Sequence, residues 1–190
     1  MTFYIFKQNT LTKKTPLAID NVPDLICPSD WIKGEKMAPP IQNDETLQLD
    51  LSPSSGQFKS GIIDGLLTLY HYRLYDALIE FGINNIQSFP VTLLNKQSDE
   101  TIVNYRLVNI IGLLDCLDFD KSKTKDWPSG RGFDFLSMVI DENKVNNLAI
   151  FRLKDDPTKV IINEDLKHYL ESKKLTAGIK FIATEDYSDW

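Results

Sequence analysis

Two stretches of the chain, 92 residues apart, repeat one apolar spacing: Leu74, Leu78, Ile83 and Phe89 return as Leu166, Leu170, Leu175 and Phe181. Each stretch reads strand, helix, turn, strand. In the first, Leu74, Ala77, Leu78 and Phe81 fall on one helical face that Gly82 ends. In the second, Asn163 offers an N-cap, and Glu164 and Asp165 suit the positive first turn. Leu166, Tyr169 and Leu170 form the stripe there, with Lys173 and Lys174 near the C-terminal end. Three identities and one conservative pair over sixteen positions fit a duplication and a shared supersecondary habit alike. Two copies are too few to stack as a solenoid, so their apolar faces need a common cover. The expected fold is therefore α+β: a mixed, mostly antiparallel sheet with a few packed helices, holding two related strand–helix–strand units if the repeat is a duplication.

The other segments fill in this frame. Phe3 to Phe6 reads as a strand. Pro16, Pro23, Pro28, Pro39, Pro40 and Pro53 then break up residues 1–60 into an irregular N-terminal wrap, which Trp31 and a strand at Thr46 to Ser52 dock onto the domain. The apolar run Ile62 to Tyr70 leads into the first helix. Strands are expected at Ile83 to Leu94, with Pro90 arguing for an edge or a bulge, at Thr101 to Val108, and buried at Gly112 to Phe119. The polar stretch Asp118 to Gly132 predicts an exposed loop, Phe133 to Ile140 another strand, and Asp141 to Lys144 a turn. Ile150 to Lys154 and Val160 to Ile162 read as a hairpin across Asp155 to Thr158, and Gly178 to Ala183 as the closing strand. This gives a single domain over 1–190, with a core at 61–183 and an acidic-aromatic tail at 184–190.

Composition excludes several classes. With 42% hydrophobic and 25% charged residues the chain is too apolar for intrinsic disorder. A net charge of -6 repels phosphate backbones and anionic lipid, so neither nucleic acid nor membrane is the expected partner, whereas a basic protein would be steered inward. The N-terminus lacks the layout of a secretory signal, and the richest apolar run, Leu107 to Phe119, is interrupted by Asn109, Gly112, Asp115 and Asp118. Cys27 and Cys116 form no CxxC pair and read as reduced thiols, which places the protein in the cytoplasm.

The search for chemistry returns little. His71 and His168 stand near the starts of the two helices without HExxH or paired-ligand spacing, and read as helix-surface residues. The run from Asp118 to Ser122 opens like a calcium loop, but Lys123 and Ser129 occupy the positions that require Gly and Glu. Gly130-Arg131-Gly132 leads into a strand and reads as a turn, not a phosphate cradle. Ser54, Ser55 and Cys116 have no base at a recognisable spacing. No catalytic, cofactor or metal set is expected. Two acidic features suit recognition instead: Asp115, Asp118 and Asp120, and the tail Glu185, Asp186, Tyr187, Asp189 and Trp190, where carboxylates would steer a partner that aromatics anchor. Their structural readings are a solvated strand end and a frayed terminus.

YRLVNIIGLLDCLDFDKS at Tyr105 to Ser122, IFRL at Ile150 to Leu153, and VIINEDLKHYLESKKLTAGIKFI at Val160 to Ile182 resemble a family of bacterial immunity proteins of polymorphic toxin systems, the myxobacterial type once catalogued as a domain of unknown function. LYDALIEFGINNIQSFPV, from Leu74 to Val91, is similar to that family's earlier helix and Phe-Pro exit. Asp115, Asp118, Ser122, Phe151, Arg152, Gly178 and Phe181 carry most of the likeness, and Ala177 departs from it by separating Thr176 from Gly178. The resemblance implies a cytoplasmic inhibitor that masks a cognate toxin. It assigns no residue roles. The rival from another class is an enzyme or small-ligand binder whose site is gathered from scattered residues.

Overall fold

Alternation along the first strand, β1 (Phe3–Gln8), divides its side chains between two cores: Phe3 and Ile5 face one, Tyr4 and Phe6 the other. A strand buried on both faces belongs inside a sheet. The structure is a computed structural model that describes residues 1–20, 22, 26–38, 46–65 and 67–189. Pro23, Pro39, Pro40 and Trp190 lie outside the described residues.

The chain continues through β2 (Leu47–Asp50), β3 (Ile62–Ile63), β4 (Leu69–His71), α1 (Tyr72–Phe81), β5 (Ile86–Asn95), β6 (Glu100–Ile110) and β7 (Leu113–Leu114). It ends with β8 (Lys123–Asp126), β9 (Phe133–Ser137), β10 (Ile150–Leu153), β11 (Asp156–Asn163), α2 (Glu164–Ser172) and β12 (Ile179–Ala183). The strands form two five-stranded sheets, ordered β12-β1-β11-β10-β7 and β2-β5-β6-β4-β3, and a separate β8-β9 hairpin. Pairing is antiparallel except where β2 meets β5 and β7 meets β10. The architecture is thus α+β and mixed, but divided between two sheets where one was expected.

In the first sheet β11 and β12 flank β1; in the second β4 and β5 flank β6. Each flanking pair is joined by a helix. Asn163 Oδ1 accepts the Leu166 N–H at 2.9 Å to cap α2, and His71 Nδ1 accepts the Arg73 N–H at 3.3 Å to cap α1. Both helices close with the same long bond, Ile83 N–H to Leu78 O and Leu175 N–H to Leu170 O, each at 3.0 Å. That closure puts Gly82 at φ 103° and Lys174 at φ 58°, both left-handed.

Three cores result. Leu74, Ala77 and Leu78 of α1 and Leu166 and Leu170 of α2 share one with Phe6, Val160 and Ile162 from the first sheet and Tyr70, Val108 and Ile110 from the second. The second sheet's other face, with Leu69 and Leu107, is covered by Leu17, Ile26 and Trp31 of the N-terminal wrap. The first sheet's other face, with Ile5, Phe151 and Ile161, is covered by Cys116, Leu117, Met138, Val145 and Tyr187. Gly178, at φ +69°, lies against Ser60, where an added Cβ would stand 2.3 Å from the Ser60 Cβ. Only glycine fits there.

Several expectations are corrected. Gly112 to Phe119 is not one buried strand: Leu113–Leu114 pairs with β10, Asp115 turns outward, and Cys116 and Leu117 turn in, with Leu117 making a single antiparallel bridge to Ile140. The exposed loop at Asp118 to Gly132 contains β8, whose four residues gain backbone partners in β9 while all their side chains stay in solvent. The run Ile62 to Tyr70 is split into β3 and β4, which pair with each other. Pro90 sits where β2 has not yet begun to pair with β5, so the missing N–H costs no ladder bond, and a register shift follows at Val91/Leu93. Among the described residues no helix is long and apolar enough to cross a membrane.

Phe6 packs edge-on to Tyr70 at 5.8 Å and stacks on Phe181 at 5.6 Å, tying the shared core together. Phe6→Ala is expected to cost about 3–5 kcal/mol of stability, read as a lowered midpoint in urea denaturation.

Candidate functional site

Two exposed aromatic residues, Trp127 and Phe119, gather with Phe133 and Phe135 where the hairpin meets the first sheet. Trp127 leaves β8, and its N–H donates to Gly132 O at 2.9 Å, closing the hairpin turn. Gly132 lies beneath the indole: an added Cβ would come within 2.8 Å of the ring. Phe133 meets Phe119 edge-on at 6.0 Å and Phe135 at 5.2 Å. Trp127 and Phe119 keep 45% and 50% exposure, far more than a core residue would. Together Trp127, Phe133, Phe135 and Pro157 help line a groove of about 450 Å³, whose carboxylates are Asp134, Asp155, Asp156 and Asp189.

Those carboxylates are held unequally. Lys159 bridges Asp156 at 2.7 Å and Asp189 at 3.4 Å, and its ammonium stands 5.0 Å from the Tyr187 ring centre. Burial works against the Lys159 charge, but hydrogen bonds to Asp156 and Tyr187 outweigh it and raise its pKa. Asp189 Oδ2 accepts the Phe135 N–H at 2.7 Å, and its Oδ1 accepts the Tyr187 hydroxyl at 2.7 Å. Burial opposes ionisation of Asp189, yet these donors and Lys159 hold its pKa below the usual carboxylate range. Asp155 has no ion pair among the described residues, and burial, followed by the charge of Asp115, pushes its pKa up. Asp134 faces Lys125 across the hairpin.

The residues singled out from sequence are scattered by the fold. Asp115 is exposed beside the groove and pairs with Lys154 at 2.7 Å, a hydrogen bond that lowers its pKa. Asp118 pairs with Lys121 at 2.7 Å and accepts the Lys121 N–H, so it organises a turn. Asp120 is exposed in that turn, and neither Asp118 nor Asp120 lines the groove. Glu185 and Asp186 are exposed on a 3-10 turn. Tyr187 is buried in the core under the first sheet, and Asp189 lines the groove. The tail is therefore docked over its described length, not frayed, because Asp189 pairs with the Phe135 backbone through both its own N–H and its carboxylate.

Sequence reasoning missed Trp127, Phe133, Asp134, Asp155 and Asp156. A signal was present in a tryptophan amid a Gly-rich polar loop and in Phe133 and Phe135 alternating after it, but only the pairing of β8 with β9 brings them beside Asp155. His71 is spent on its helix cap, and His168 is exposed on α2. Among the described residues no three His, Cys, Asp or Glu side chains converge to hold a metal. Burial, helped by Asp155 and Asp115, pushes the Cys116 thiol up to about 12, so it is inert at neutral pH.

A carboxylate with a depressed pKa stabilises the fold above its unfolded value, about 3.9, and loses that contribution as pH falls through the lower folded value. Asp189→Asn is expected to lower stability at pH 7 by about 1–2 kcal/mol. Its deficit against wild type should shrink as both are titrated below pH about 3.9, followed by thermal unfolding.

Against known proteins, a search of curated sequences finds no match. Residues 2–186 match the model of the Immunity protein family (Imm11), nearly the whole chain, and the protein belongs to that family.

Proposed function

We propose that this chain is an immunity protein that binds and neutralises a cognate bacterial toxin domain in the cytoplasm, as part of a polymorphic toxin system. The observation that carries the reading is family membership across residues 2–186. The groove offers the contact: Trp127 and Phe133 supply anchoring area, while Asp115, Asp134, Asp155, Asp156 and Asp189 favour a basic, partly apolar toxin surface. Asp118, Asp120, Glu185 and Asp186 add negative field at longer range. Neutralisation is by masking, so no residue of this chain acts as a catalyst, and the net charge of -6 disfavours nucleic acid and anionic membrane as rivals. We also read the two strand–helix–strand units as related copies, since their N-caps and C-terminal closures fall at the same spacing as the apolar repeat.

Co-expression with the toxin encoded beside its gene is the test. The chain is expected to restore growth and to co-purify with that toxin. Trp127→Ala is expected to weaken the complex about 30-fold, the loss of a hot-spot aromatic. Asp155→Asn should slow association several-fold at low salt. Failure to rescue growth would sink the immunity reading, whereas rescue with both variants binding as well as wild type would move the contact surface elsewhere.

A further inference from the structure

A cavity of about 200 Å³ opens between the two sheets, and is lined in part by Trp31, Ile32, Thr68, Val108, Arg152 and Thr158. Its Arg152 and Thr158 flank the turn whose Asp155, Asp156 and Pro157 line the groove, but the two share no lining residue. Arg152 and Trp31 are each only 3% exposed, yet Arg152 Nε and Trp31 Nε1 meet no acceptor among the described residues. Arg152 projects from β10 and spends Nη1 on the Pro157 carbonyl at 2.9 Å. It makes no ion pair among the described residues, and burial works against its charge, with Tyr70 and Asp64 giving only partial relief. Asp64 lies in an adjoining cleft that shares Thr68 and Thr158, and its carboxylate already takes the Gln8 N–H at 2.6 Å.

A buried guanidinium bonded only to a carbonyl is an incomplete arrangement, because a desolvated charge calls for an opposite charge as well as hydrogen bonds. We propose that this cavity binds a small monocarboxylate, whose oxygens accept the free N–H groups of Arg152 and Trp31 while its apolar substituent lies against Ile32 and Val108. One positive charge and two free donors match one carboxylate. A phosphate would bring a second negative charge with only one positive side chain, Arg152, in the lining to meet it. The space equals about seven waters at about 30 Å³ each, the scale of a four-carbon acid. The cavity adjoins the proposed toxin-binding groove through Pro157 and Thr158 but shares no lining residue with it, and its assignment stands whether or not that surface is correctly placed.

Calorimetric titration of the full chain with sodium butyrate at pH 7, against sodium chloride of equal ionic strength, tests it. The expected result is saturable one-to-one binding and a raised Tm. Trp31→Phe keeps the ring and removes the donor, and is expected to weaken butyrate about tenfold while its own unfolding stays cooperative. Arg152→Lys keeps the charge without Nε and should weaken butyrate further; should that variant fail to fold, Trp31→Phe alone decides. Inorganic phosphate is expected not to displace butyrate. No heat beyond the chloride control, phosphate binding more tightly than butyrate, or unchanged butyrate affinity in Trp31→Phe would each overturn the assignment.

Discussion

The densest polar fastening between the two sheets is made at Gln8. Gln8, at the end of β1, donates its N–H to Asp64 Oδ2 at 2.6 Å and accepts the Asp64 N–H on Oε1 at 3.2 Å. Its Nε2 reaches Leu17 O at 3.3 Å and Ser60 Oγ at 3.2 Å, while the Tyr105 hydroxyl takes Ser60 O at 2.7 Å. A buried amide with every polar atom used fixes distance and angle in a way that apolar contact alone does not. Here it joins the middle of the first sheet to the edge of the second and to the N-terminal wrap. Asn85 makes a second fastening, giving Nδ2 to Ile111 O at 2.7 Å and Ile150 O at 2.8 Å.

Elements governed by local physics were legible in the sequence. Both helices are where the apolar stripes and caps placed them, and β1, β6, β10 and β12 follow runs of apolar or alternating residues. What failed was tertiary. One sheet was expected because strand content says nothing about partition, and the division depends on contacts such as Gln8 to Asp64, 56 residues apart. The stretch Gly112 to Phe119 misled because its pairing is broken at Asp115 into β7 and a lone bridge from Leu117 to Ile140, while Cys116 and Leu117 cover a core. β8 was hidden because its KTKD sequence carries no apolar alternation, and it is a strand only because Phe133 to Ser137 lies opposite.

The same limit governed the site. Of the residues singled out for recognition, Asp189 lines the groove and Asp115 is exposed, whereas Asp118 serves a turn and Tyr187 a core. Asp155 looked like part of a hairpin turn, which it is, and its second property, a carboxylate beside an aromatic surface, depends on the separate docking of β8 and β9. Arg152 stood out only as part of a family-like motif. Its burial gives that position a physical meaning that sequence spacing could not.

An inhibitor that works by masking needs a rigid surface more than a reactive group. The tail and Lys159 fix one wall of the groove to the first sheet, so its carboxylates are presented in place before any partner arrives. Hydrogen–deuterium exchange of the chain with and without its cognate toxin domain tests that account most directly. Binding is predicted to slow exchange of amides within 123–137 and 154–158, leaving β2 and β3 unchanged; slowed exchange confined to other surfaces, with the hairpin unaffected, would contradict it.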